Sequence, residues 1–131
     1  MYEIGRKGEN MKFPGVKSNW EFVAWYLIQP SISETSRSFS RTQILRRDYE
    51  QVYNILVILG HKKRPEHMEE TIQKTLQNMR DKNWISFLGQ GDYKLTDQGF
   101  AELLRNKENL DKIHALTKEE LKTLRDLAKN I

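Results

Sequence analysis

The amino-acid sequence predicts a mainly α fold completed by one small β-hairpin. Three observations carry this. Apolar residues recur at helical spacing in separate stretches, most cleanly at Met68, Ile72, Leu76 and Met79. After Asn83 the period changes, and Trp84-Ile85-Ser86-Phe87-Leu88 has the aromatic and branched content of a strand. Gly89-Gln90-Gly91-Asp92 then offers a tight turn whose glycines can take positive φ, and Tyr93-Lys94-Leu95 provides the return strand.

Taken in order, residues 1–17 read as a flexible arm, with three Gly, one Pro and the cations Arg6, Lys7, Lys12 and Lys17. Ser18 or Asn19 caps a first helix over 20–28, which buries Phe22, Val23, Tyr26 and Leu27 and ends at Pro30. Residues 29–39 are polar and Ser-rich, so they are expected as a loop. Ser40-Arg41-Thr42-Gln43 has the form of a capping box and opens a second helix over 41–59. That helix buries Ile44, Leu45, Val52, Leu56 and Leu59, and Gly60 stops it.

A basic loop, His61-Lys62-Lys63-Arg64, leads to Pro65, which suits the first turn of a third helix reaching about residue 82. After the hairpin, Thr96 or Asp97 caps a fourth helix carrying Phe100, Ala101, Leu103 and Leu104. Thr117-Lys118-Glu119-Glu120 is a second capping box, opening a last helix with Leu121, Leu124 and Leu127. With Leu116 these leucines form a stripe that either supports a homodimer or packs on the first helix. The organisation expected is an arm over 1–17, a core domain over 18–96 and a C-terminal helical extension over 97–131.

Composition limits the function. With 131 residues the chain is long enough for one domain. Cysteine is absent, which excludes disulfides and thiolate metal sites and suits a reducing, cytoplasmic setting. The longest apolar run, Ile55-Leu56-Val57-Ile58-Leu59, is too short to span a bilayer, and the polar start is not a signal peptide. The net charge is +4, and it is uneven: residues 1–64 hold 11 basic and 6 acidic side chains, the remainder 11 and 12. A basic half suits a polyanionic partner.

Three helices followed by a hairpin with a polar, glycine-bearing tip is the order of a winged helix-turn-helix. In that arrangement the third helix enters the major groove of double-stranded DNA, and the hairpin, or wing, lies along the adjoining backbone. Its outward residues Gln73, Lys74 and Gln77, with Arg80 at the edge, are placed to reach base edges, since Gln pairs well with adenine N6 and N7. Arg41 on the second helix and Lys62, Lys63 and Arg64 in the loop are expected on phosphate, as are Gln90 and Lys94 from the wing. Arg46 and Arg47 share the basic character of that second helix.

The stretch from His67 to Leu95 resembles the C-terminal winged-helix domain of the DpnI-type restriction endonuclease. The resemblance rests on Leu76-Gln77-Asn78-Met79-Arg80-Asp81-Lys82, on Trp84-Ile85-Ser86-Phe87, and on Gly89-Gln90-Gly91-Asp92-Tyr93-Lys94-Leu95. It extends more weakly back to Trp20 and covers roughly residues 18–96. It implies duplex DNA binding, a sensitivity to N6-methyladenine, and a place in a restriction or transcription-regulating system. The nuclease domain of that family is not part of the resemblance.

No catalytic site or cofactor is expected. His61, His67 and His114 lack the spacing of metal ligands. Asp92-x-Lys94 and Glu120-x-Lys122 echo a nuclease motif, but neither has an upstream acidic strand residue with which to share a metal. The competing reading is a protein-interaction winged helix that turns Glu66, Glu69 and Glu70 toward a basic partner.

Overall fold

A computed structural model of the chain describes residues 13, 15–46, 48–61 and 63–130. The expected arm falls mostly outside these residues. Its inner end does not hang loose, because Phe13 is buried against Phe22 with ring centroids 6.2 Å apart.

The first helix, α1 (Asn19–Ile28), starts where Ser18 Oγ accepts from the Glu21 N–H. It is the centre of the molecule. Phe22, Val23, Ala24, Trp25, Leu27 and Ile28 are all buried, so more than one face packs, and α3, α4 and α6 gather around it. Tyr26, expected in the core, is only partly buried.

Three expectations for residues 29–59 are corrected. The loop ends in a strand, β1 (Ser38–Ser40), which exists only because it pairs antiparallel with a strand some fifty residues later. The single second helix is two, α2 (Arg41–Leu45) and α3 (Tyr49–Ile58). Asp48 causes the break: its carboxylate accepts the Glu50 N–H at 2.9 Å and caps a new helix. The Tyr49 hydroxyl donates to the Leu45 carbonyl, satisfying the end of the old one. Ser40 makes no side-chain cap, contrary to the expected capping box. The Arg41 N–H donates to the Gly91 carbonyl at 2.9 Å, across to the wing.

The third helical stretch, α4 (Met68–Asp81), begins three residues later than Pro65 led one to expect, with His67 as an N-cap that makes no side-chain bond. Ile72, Leu76 and Met79 are buried and Met68 is packed at the edge of the core, as the stripe required. The hairpin follows as β2 (Ile85–Gly89) and β3 (Asp92–Leu95), in a sheet of order β1-β3-β2. Gln90 and Gly91 form its turn with φ of 54° and 82°, the positive pair that matches the twist of two-residue hairpins.

Beyond the wing, Thr96 Oγ1 accepts the Gly99 N–H and caps α5 (Asp97–Arg105). Asn106 closes α5 and opens a helix not foreseen, α6 (Lys107–His114). The Thr117–Glu120 capping box forms in full and starts α7 (Lys118–Lys129). Leu121 and Leu124 are buried, and α7 packs on α3 rather than on α1. The leucine stripe that suggested pairing between copies is thus largely covered within the chain, leaving Leu127 42% exposed. Leu103, Leu110, Ile113 and Leu121 belong to the same apolar cluster as Phe22 and Leu76, so the C-terminal helices complete one core. Among the described residues, no helix is long and apolar enough to cross a membrane.

Candidate nucleic-acid interface

With Ile72, Leu76 and Met79 facing inward, helical geometry turns Gln73, Lys74, Gln77 and Arg80 outward, and all four are exposed. Gln73, Gln77 and Arg80 follow one another at i, i+4 and i+7 along the outer face. Gln77 Nε2 donates weakly to Asp81 Oδ1 at 3.4 Å, a bond that an incoming partner can displace at little cost. Lys82, at the helix end, is held by Glu21 of α1 and lies 4.6 Å from the Trp84 ring centroid, so it fixes α4 on α1.

The helix start is acidic, with Glu69 and Glu70 in its first turn. Burial, together with the charge of Glu69, pushes the Tyr49 hydroxyl above its ordinary value, which places Glu69 beside the start of α3. Glu69 and Glu70 both stand exposed on α4.

The basic loop behaves unevenly. Lys63 is exposed. Arg64 pairs with Glu50 at 3.0 Å and stacks 4.8 Å from the Tyr53 ring centroid, so it is engaged with α3 in the free protein. Lys62 lies outside the described residues, as does Arg47.

A second group forms around the wing. The bond from Arg41 N–H to Gly91 sets the start of α2 beside the turn that carries Gln90. Lys94 pairs in register with Ser38 on one side and Ser86 on the other, giving an exposed polar row across the sheet. Ser38 also lines an open groove of about 640 Å³ with Pro30, Ser31, Gln43 and Arg46. Sequence reading missed Ser38 and Gln43 as part of this surface, because β1 has no periodicity of its own and is visible only through its pairing with β3.

The residues that echoed a nuclease motif have other duties or no company. Glu120 is spent on its capping box, accepting from the Thr117 N–H at 2.9 Å. No group of three or more His, Asp or Glu that could hold a metal ion occurs among the described residues.

Helix, strand, two short helices, a longer helix and a paired wing is the architecture of a winged helix-turn-helix. Residues 31–95, about half of the chain, match the model of the Dam-replacing HTH domain, the DpnI C-terminal family. The chain carries a DpnI-type C-terminal winged-helix domain. No curated protein and no solved structure matches the chain. The matched span runs from Ser31, three residues past α1, to Leu95 at the end of β3, so this DpnI-type domain includes β1, α2, α3, α4 and the wing. The helix α1 and the three helices after the wing lie outside the match yet supply much of the core.

Proposed function

We propose that the chain binds double-stranded DNA by laying α4 in the major groove, with the wing against the neighbouring backbone. The observation that carries this is the division of α4: Ile72, Leu76 and Met79 are committed to the core, while Gln73, Lys74, Gln77 and Arg80 stand exposed on the other side. A helix of this diameter fits the groove, and glutamines on it can address adenine edges. Lys63, Arg41, Gln90 and Lys94 supply backbone contacts, which set register and affinity. The protein acts as a binding module rather than an enzyme, in the cytoplasm, where its DNA lies.

The finer reading is a preference for N6-methyladenine, in the service of a restriction or regulatory system. Membership of the DpnI-type family motivates it. The glutamine face adds chemical sense, because a methyl group in the major groove offers an apolar surface as the thymine methyl does.

The test is a binding screen over duplex libraries with and without N6-methyladenine, repeated across a salt series. Affinity should fall steeply with salt as counterions are released. Gln73→Ala and Gln77→Ala should alter sequence preference, by roughly 1–3 kcal/mol for each good bidentate pairing with a base that the substitution removes. Equal affinity for both libraries removes the methylation reading alone. The exposed Glu66 and Glu70 favour the second reading, docking of a basic protein, and binding to such a partner with none to any duplex would establish it.

A further inference from the structure

The wing carries an apolar feature that duplex backbone contacts do not use. Phe87 and Leu88, adjacent on β2, are 47% and 55% exposed. They stand on an edge strand, since the sheet order is β1-β3-β2. The register between β2 and β3 slips there: Phe87 faces Tyr93, Gly89 faces Asp92, and Leu88 is left as the extra residue of a bulge. A bulge re-aims side chains, and this one lets both residues emerge where strict alternation would expose only one. Bulges also spoil an edge for the addition of a further strand. The binding element here is therefore a pair of side chains rather than a free backbone edge.

Phe87, one member of the pair, is backed by other rings. Phe87 packs on Tyr93 at 5.4 Å between centroids, and Tyr93 stacks on Phe39 of β1 at 5.5 Å, so the three rings brace one another across all three strands. Ahead of them the two-residue turn at Gln90 and Gly91 keeps the tip narrow. The surroundings are basic: the segment from Ser38 to Arg46 holds Arg41 and Arg46 with no acidic residue, and Lys94 lies on the adjacent strand against Asp92 alone. Narrow, braced, apolar and flanked by cations, this tip is suited to a polyanion with an apolar interior.

We propose that Phe87 and Leu88 form a wedge that the wing inserts between two base pairs of the bound duplex, unstacking the step and bending the DNA. The inference rests on the duplex-binding reading above. Apolar side chains used in this way unstack a base step and kink the duplex by roughly 20–90°. The wedge gains by moving from water into the opened stack. Flexible pyrimidine–purine steps resist least, so the wedge would add sequence preference at a position that α4 does not touch.

The experiment uses the full chain with a duplex selected in the screen, carrying 2-aminopurine at successive steps and a donor–acceptor dye pair at its ends. Wild type should raise 2-aminopurine emission at one step and bring the dyes closer. Phe87→Ser with Leu88→Ser should bind roughly tenfold more weakly, with an unchanged salt slope, and lose both signals. Phe87→Met with Leu88→Met should retain them, and Leu88→Ser alone, at the more exposed site, guards against misfolding as the cause. Thermal melting confirms that each variant folds. Tight binding by wild type with neither signal overturns the wedge while leaving duplex recognition standing. So does a folded serine double variant that binds and bends DNA as wild type does, and the patch would then belong to a protein partner. Failure of the wild type to bind any duplex overturns the duplex reading, and the wedge with it.

Discussion

Arg64 pairs with Glu50 across 3.0 Å, and the other oxygen of that carboxylate is taken by Arg125 of α7 at 3.2 Å. One acid thus ties the loop before α4 to the C-terminal helix. Arg64, Lys129 and Arg125 also sit around the ring of Tyr53, at 4.8, 5.1 and 5.9 Å from its centroid. The loop's two described cations therefore sit differently, Arg64 engaged with α3 and Lys63 exposed.

Lys63→Ala should weaken binding to all duplexes alike and reduce the salt slope by about one unit, as removal of one phosphate partner does. Arg64→Ala should leave that slope nearly unchanged and lower stability by at most about 1 kcal/mol, because the pair is half exposed. Fluorescence anisotropy across a salt series, with urea unfolding of the same variants, separates the two. Equal slope changes would return Arg64 to the phosphate surface.

Arg125 is more deeply placed, with its side chain 14% exposed, and it donates to Oδ1 of buried Asn54 at 3.0 Å. Arg125→Ala leaves that buried oxygen without this donor, and the expected cost is about 2 kcal/mol. Urea unfolding should show it as a lower midpoint with an unchanged slope. A loss under half that size would mean that water replaces the guanidinium.

Gly99 occupies the tightest junction, between the wing and α5. A Cβ there would lie 1.8 Å from the Trp84 carbonyl oxygen, which is backbone and has no easy retreat. The same carbonyl accepts the Thr96 N–H at 3.1 Å. Gly99→Ala should cost about 3 kcal/mol, the upper range for overpacking. Calorimetry or denaturant melts check this, and a near-neutral effect would show that α5 can shift away from the wing.

His61 makes stability depend on pH. Its Nδ1 lies 3.1 Å from Asn19 Nδ2, an amide N–H that can only donate, so Nδ1 is the bare nitrogen. Burial lowers the imidazole below its ordinary 6.5. The unfolded chain then binds the proton more readily, and stability rises with pH across the interval between the two values. The full contribution is present above the ordinary 6.5 and is lost as pH falls from there through the lowered value. Unfolding midpoints from pH 8 to 5 should show this decline, and His61→Asn should flatten it. Asp48, held low chiefly by its bond to Lys118, titrates in a more acidic window and does not confuse the result.

Much of the architecture could be read from local chemistry. The α4 stripe, the Gly-bearing turn of the wing, the Thr96 cap and the Thr117 capping box all depend on residues within a few positions of one another, and each appears in the structure. The outward face of α4 was equally legible, because burying Ile72, Leu76 and Met79 leaves Gln73, Lys74 and Gln77 no other direction. What escaped the sequence depends on distant partners. β1 is a strand only through β3, and the Arg41 N–H at the start of α2 finds its acceptor on Gly91, fifty residues along the chain. The division of the second helix turned on Asp48 acting as a cap, a choice that charge and periodicity do not reveal. Tertiary packing also sorted the cations, assigning Arg64 to Glu50 and Tyr53, and it turned the leucines of α7 onto α3. Local bonding sets helix ends and turns within a few residues, whereas the duty of a charged or apolar surface group is set by what the fold brings within a few ångströms of it.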